Sequence, residues 1–175
     1  GISTTRAGIN GVVSVPLTET IRTTLSGGLS YGAYTNQAWR DGWTYDFALA
    51  SQWSATPAWM LTATGKVNVI DTADPTRGTT ELAALLRVDH ATNWGLLIGL
   101  EGELGVRFHE QPPPLSTGDN QLDKFASVKV ELSQRDIAIG PFLPQVHYRY
   151  TVQDSDNVFY RYHAHDFGLG VRARF

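Results

Sequence analysis

The sequence predicts an all-β fold: an antiparallel transmembrane β-barrel of the outer-membrane type, with about nine strands visible, forming part of a larger even-stranded barrel. Three observations carry this. The closing segment, residues 166–175, reads D-F-G-L-G-V-R-A-R-F, so that Phe167, Leu169, Val171, Ala173 and the terminal Phe175 alternate with Gly168, Gly170, Arg172 and Arg174. That period of two gives one apolar and one polar face, and the last residue is an aromatic, the usual finish of an outer-membrane barrel. The same alternation recurs in eight earlier runs. Those runs are long for globular strands, and aromatics gather at their ends.

The runs follow in order. Residues 2–17 form the first. In 21–35, Leu25, Gly27, Leu29, Tyr31 and Ala33 oppose Thr24, Ser26, Gly28, Ser30 and Gly32. In 43–55, Trp43, Tyr45, Phe47, Leu49 and Trp53 oppose Thr44, Asp46, Gln52 and Ser54, and in 59–71, Trp59, Leu61, Ala63, Val67 and Val69 oppose Thr62, Thr64, Lys66 and Asn68. Residues 81–89 set Leu82, Ala84, Leu86 and Val88 against Glu81, Arg87 and Asp89. The clearest run, 94–109, sets Trp94, Leu96, Ile98, Leu100, Leu104, Val106 and Phe108 against Gly95, Gly99, Glu101, Glu103, Gly105, Arg107 and His109. Residues 124–135 oppose Val128, Val130 and Leu132 to Lys129, Glu131 and Arg135; residues 145–153 oppose Val146, Tyr148, Tyr150 and Val152 to His147, Arg149 and Thr151. The closing segment is the ninth. A helix would splay pairs such as Glu101 and Glu103, and the glycine content would weaken it. A soluble sandwich is the competing reading, but it would place its aromatics mid-strand in a core. Here Trp43, Trp53, Trp59, Trp94, Phe108, Tyr160 and Tyr162 sit toward strand ends, as interfacial girdles do.

Composition is compatible with this. The chain has 175 residues, enough for one domain spanning 1–175, with 42% hydrophobic residues, 17 Gly and 5 Trp. Mean hydropathy is −0.20, as expected where alternate strand residues face a polar interior. No stretch approaches the ~20 apolar residues of a membrane helix. Cysteine is absent, which removes disulfide and thiolate chemistry, and a net charge of −3 gives no reason to expect nucleic acid as a partner.

The connections fall into two alternating classes. Those at 36–42, 72–79, 111–123 and 154–157 are mostly longer or rich in Pro, Gly and Asp, whereas 18–20, 56–58 and 91–93 are short; 136–144 is a longer link on the short side. Short turns belong on the periplasmic side, which places the C-terminus there. Counting back over nine crossings then leaves Gly1 outside. A self-contained bacterial barrel has an even strand number, so either 2–17 is not a full crossing or an odd number of strands lies upstream. The second is the expectation, with Gly1 as an excision point.

The C-terminal part has a more specific likeness. The run G-P-F-L-P-Q-V-H-Y-R-Y-T-V-Q-D-S-D-N-V-F-Y-R-Y, residues 140–162, followed by G-L-G-V-R-A-R-F, resembles the end of the surface lipoprotein assembly modifier (Slam) barrel. The shared elements are a strand initiated at Pro144, the Ser155-Asp156-Asn157 turn before a Tyr-rich strand, and the closing Arg174-Phe175. The resemblance implies an outer-membrane barrel assisting the export or surface display of partner lipoproteins. It also implies a larger, fourteen-stranded barrel preceded by a periplasmic helical-repeat domain, neither of which this chain contains in full. Expected partners are outer-membrane lipids, the barrel assembly machinery through the terminal strand, and client surface proteins or the remaining part of its own barrel.

Candidate functional residues are the polar ones expected to face a lumen: Lys66, Arg87, Glu101, Glu103, Arg107, Lys129, Glu131, Arg149, Arg172 and Arg174, with Glu81, Asp89, His109 and Arg135 beside them. Their mixed signs predict ion pairs lining a wall, or a hydrophilic path if the barrel is wide. Glu101 and Glu103 stand on one face, but salt bridging is preferred over glycosidase chemistry. His163 and His165, with Asp166, read as polar rim residues rather than a metal site. A lipid-modifying hydrolase would require Ser155 to meet His163 or His165. The inward Gly95, Gly99 and Gly105 read as relief of wall curvature. Gly168 and Gly170 mark a possible weak seam in the last strand. The chain is therefore read as a non-enzyme without cofactor or metal; a structural or diffusion barrel and a lipid-modifying enzyme are the alternatives.

Overall fold

Among the described residues each of the nine runs contains a strand that follows the period of two. A computed structural model describes residues 4–111, 121–138, 140 and 142–173, with the side chains of 172 and 173 excepted. It contains nine strands: β1 (Thr4–Pro16), β2 (Ile21–Tyr34), β3 (Gly42–Thr56), β4 (Trp59–Thr72), β5 (Thr79–Ala91), β6 (Leu96–His109), β7 (Leu122–Gln134), β8 (Phe142–Ser155) and β9 (Tyr162–Ala173). They form one sheet in chain order, and each strand pairs antiparallel with its sequence neighbours. Short 3-10 turns sit at Ala38–Arg40, Pro75–Arg77, Arg135–Ile137 and Val158–Tyr160. No helix among the described residues is long and apolar enough to cross a membrane, which bears on helices alone.

Among the described residues no ladder joins β1 to β9, so the nine strands form an open antiparallel sheet and not by themselves the larger barrel expected. In an antiparallel meander, first and ninth strands run the same way, so joining them directly would require a parallel seam.

Three boundaries differ from expectation. Trp94 and Gly95 belong to a turn, not to β6: Gly95 has φ +87°, and Thr92 closes the turn by accepting from the Leu96 N–H and donating to the Leu96 carbonyl. β8 reaches back through Pro144, which lies one step beyond the last β7–β8 pair, Ser133 with Gln145, where its missing N–H breaks no ladder with β7. β9 begins at Tyr162, earlier than expected, so His163 and His165 are the second and fourth residues of the strand, near its end; they share the apolar face with Phe167, while Asp166 is on the other.

Burial is inverted relative to a globular domain. Phe167 is 79% exposed, Leu169 83% and Leu100 49%, whereas Gln121, Asp123, Ser127, Gln153, Ser155 and Asn157 are buried. The buried apolar residues among those described, Ala83 and Leu143, both lie on the polar face. One sheet with a bare apolar side is not a sandwich, because no second sheet covers it.

The inward glycines have a local steric role. A Cβ on Gly99 would stand 2.7 Å from Arg87 Nη2, and one on Gly105 would overlap the Phe125 ring. Each glycine seats a large side chain from a neighbouring strand. Gly102, on the opposite apolar face of β6, has open space instead. Gly105→Ala should therefore destabilise the fold by roughly 1–3 kcal/mol through overpacking, and Gly102→Ala should leave it nearly unchanged. Urea unfolding in detergent micelles measures both; equal effects would contradict this account.

Candidate functional site

The phase of the strands gathers the charged residues on one face. Arg87, Glu101, Lys129, Arg149 and Asp166 form a single row across β5 to β9. A second row runs Asp46, Asn68, Glu81, Arg107, Asp123 and Ser155 from β3 to β8. Some pairs lie within a row, as Arg87 with Glu101 and Arg107 with Glu81; others step to the next row, as Arg87 with Asp89 and Lys129 with Glu131.

Arg87 is the hub. Its Nε donates to Asp89 Oδ2 at 2.8 Å and its Nη2 to Asp89 Oδ1 at 2.7 Å. Nη2 also lies 2.6 Å from Glu131 Oε2, and Nη1 lies 3.4 Å from Glu101 Oε2. Glu131 is further paired with Lys129 on its own strand. Arg149 Nη2 reaches Glu101 Oε1 at 3.3 Å, Lys66 Nζ reaches Glu103 Oε1 at 3.1 Å, and Arg107 Nη2 reaches Glu81 Oε2 at 2.7 Å. Five cations (Lys66, Arg87, Arg107, Lys129 and Arg149) thus meet five carboxylates (Glu81, Asp89, Glu101, Glu103 and Glu131), and the network is neutral.

Three of these pairs skip a strand. Lys66 on β4 reaches β6 over Ala83, Arg87 on β5 reaches β7 over Gly99, and Arg149 on β8 reaches β6. Ala83 and Gly99 lie beneath the first two crossings, and the three pairs together tie five consecutive strands.

A second cluster closes the polar face at the end of the longer connections. His109 Nε2 lies 3.0 Å from Asp123 Oδ2, and Gln121 Nε2 donates to Asp123 Oδ1 at 2.8 Å. Gln153 donates to Asp123 and to the Tyr160 carbonyl. Of this cluster the sequence reading singled out His109 alone. Asp123, expected at the end of the 111–123 connection, lies in β7 opposite Arg107 and Ser155.

This geometry does not assemble an acid–base pair. Glu101 and Glu103 are each committed to different cations. Ser155 is buried on the polar face, where its Oγ accepts from the Asn157 N–H, while His163 and His165 project from the opposite face; the hydrolase set does not come together. His165 Nδ1 instead lies 2.8 Å from the Tyr148 hydroxyl. Among the described residues no group of three His, Cys, Asp or Glu could hold a metal ion. Arg135 lies in a 3-10 turn after β7 rather than on the face. Gly168 is packed under the His147 imidazole, whose Nε2 is 2.9 Å from Asp166 Oδ1, whereas Gly170 has open space. The backbone of Arg172 pairs with Leu143; its side chain, Arg174 and Phe175 lie outside the described residues.

The family described as surface lipoprotein assembly modifier matches residues 3–175, essentially the whole chain. No curated protein and no solved structure matches. The chain belongs to the surface lipoprotein assembly modifier family.

The network predicts unequal costs. Arg87→Ala removes the cation that Asp89, Glu101 and Glu131 share, leaving Glu101 only Arg149 and Glu131 only Lys129, and should cost ~3 kcal/mol or more. Lys66→Ala removes a pair whose lysine side chain is 42% exposed, and should cost under about 1 kcal/mol. Denaturant titration in micelles separates them; similar losses would refute a hub at Arg87.

Proposed function

We propose that this chain forms part of the wall of an outer-membrane β-barrel that assists export or surface display of lipoproteins. In this reading the apolar face meets acyl chains, the ion-paired face lines an enclosed lumen, and the C-terminus is periplasmic. Family membership supports the link to surface lipoproteins. The observation that carries the membrane reading is the bare apolar face of a single sheet backed by a neutralised charged face. In water such a face would drive aggregation; in hydrocarbon it is the stable arrangement.

Strands of 12 to 15 residues exceed the ~9 to 11 needed to cross a bilayer when tilted. The end bearing the longer connections then lies outside. An odd number of additional strands would close the sheet without a parallel seam. Outer-membrane lipids, the barrel assembly machinery acting on β9, and client lipoproteins are the partners. Gly170, with open space on the polar face and an unpaired edge beside β9, supports a seam that opens laterally, with Gly168 next to it. The chain acts without a cofactor and without chemistry of its own.

Removing the gene should abolish surface labelling of client lipoproteins by antibody on intact cells, with total client levels unchanged, and the wild-type gene should restore it. Undiminished labelling would overturn the export reading. Ion conductance by the full-length protein in planar bilayers, combined with undiminished labelling, would establish the diffusion barrel instead.

A further inference from the structure

On the polar face, the end carrying the longer connections divides in two. Toward β9 it is filled by the cluster around Asp123. Toward β1 it is open, as a cavity of ≈ 580 Å³ whose lining includes Arg6, Tyr34, Arg40, Asp46 and Arg77. Three guanidiniums and one carboxylate face this space in a chain whose net charge is −3.

Arg6 and Arg40 are held by neutral groups. Arg6 donates from Nε and Nη2 to the Ser30 hydroxyl, at 3.0 and 2.8 Å. Arg40 Nη1 donates to Gln37 Oε1, and its guanidinium carbon sits 4.6 Å from the Tyr34 ring centre and 5.7 Å from that of Trp39. Arg77 lies 4.0 Å over the same Trp39 ring. The nearby carboxylates are occupied. Asp46 accepts from Asn68, and Asp41 accepts from the Tyr34 N–H. The Asp74 carboxyl is held below the usual carboxylate range, chiefly by the Thr76 hydroxyl, then by the Thr76 N–H and Arg77; its pair with Arg77 is 3.6 Å long and exposed.

Stacking on a ring uses the flat side of a guanidinium and leaves edge N–H groups for a bidentate acceptor. Two like charges on one indole also repel, and an anion between them removes that repulsion. We infer that this cavity binds an acidic, extended peptide segment, with Arg40 and Arg77 clasping its carboxylates beside Trp39 and Tyr34. A peptide fits better than a phosphorylated lipid because the cavity opens on the polar face, opposite the apolar face where acyl chains would lie. Regarding that segment as part of an exported client rests on the function proposed above; the binding site does not.

The test uses the full-length protein in detergent micelles and fluorescein-labelled hexaglutamate, read by anisotropy. Hexaglutamate should bind and hexaserine should not, and added salt should weaken binding. The double variant R40A/R77A should lose about tenfold or more in affinity. Both residues lie on exposed turns, and an unchanged urea midpoint would verify that the variant is folded. Equal binding of both peptides, an unaffected double variant, or capture of lipopolysaccharide without hexaglutamate would each overturn the proposal. Because no export is measured, a negative result here leaves the export reading standing, and unimpaired surface labelling in the deletion strain leaves this site standing.

Discussion

Everything in this molecule depends on strand phase. A slip of one residue in any ladder would carry that strand's side chains to the opposite face. Eight consecutive ladders hold their phase; the irregularity, between Ser54 and Thr56, falls beside a two-residue turn where it displaces little. The apolar surface from Ile9 to Val171 and the charged surface from Lys66 to Arg149 are two readings of that one constraint.

The ion pairs enforce the phase more than they add stability. Taking Arg87, Glu101 and Glu131 partly out of water costs much of what their attraction returns, but a wrong register would strand charges without partners, at greater cost. The pairs that skip a strand make this stronger. Lys66 with Glu103 and Arg149 with Glu101 specify relations between strands that share no backbone hydrogen bonds. Ala83 and Gly99 matter as much as the charges, because a larger side chain at either place would block the crossing.

Much of this was legible in the sequence, because alternation is a local signal and every strand carries it. The nine strands, their faces and the alternating connection lengths follow from runs such as 94–109 and 166–175. Strand ends were less legible. The Gly95 turn interrupts an alternation that passes through it unbroken, and Pro144 looks like a start although the strand begins earlier. Closure was not legible: alternation describes each strand and says nothing about what its outer edges meet. The salt-bridge partners were hidden for a related reason, since they depend on stagger between rows. Trp39, Arg40 and Arg77 come together because two turns fold over the sheet, a juxtaposition that no spacing encodes.

The meander has a kinetic meaning. Every described ladder joins chain neighbours, so each new hairpin closes a short loop at little entropic expense. The charged lattice, by contrast, spans β4 to β8 and is incomplete until the last of those strands has docked. Each hairpin thus forms before the strand-skipping pair that will brace it, and the bracing follows in steps as β6, β7 and β8 are added. A sheet built only as far as β7 still lacks the tie between Arg149 and Glu101, so the wall is stitched across its strands only when β8 has joined.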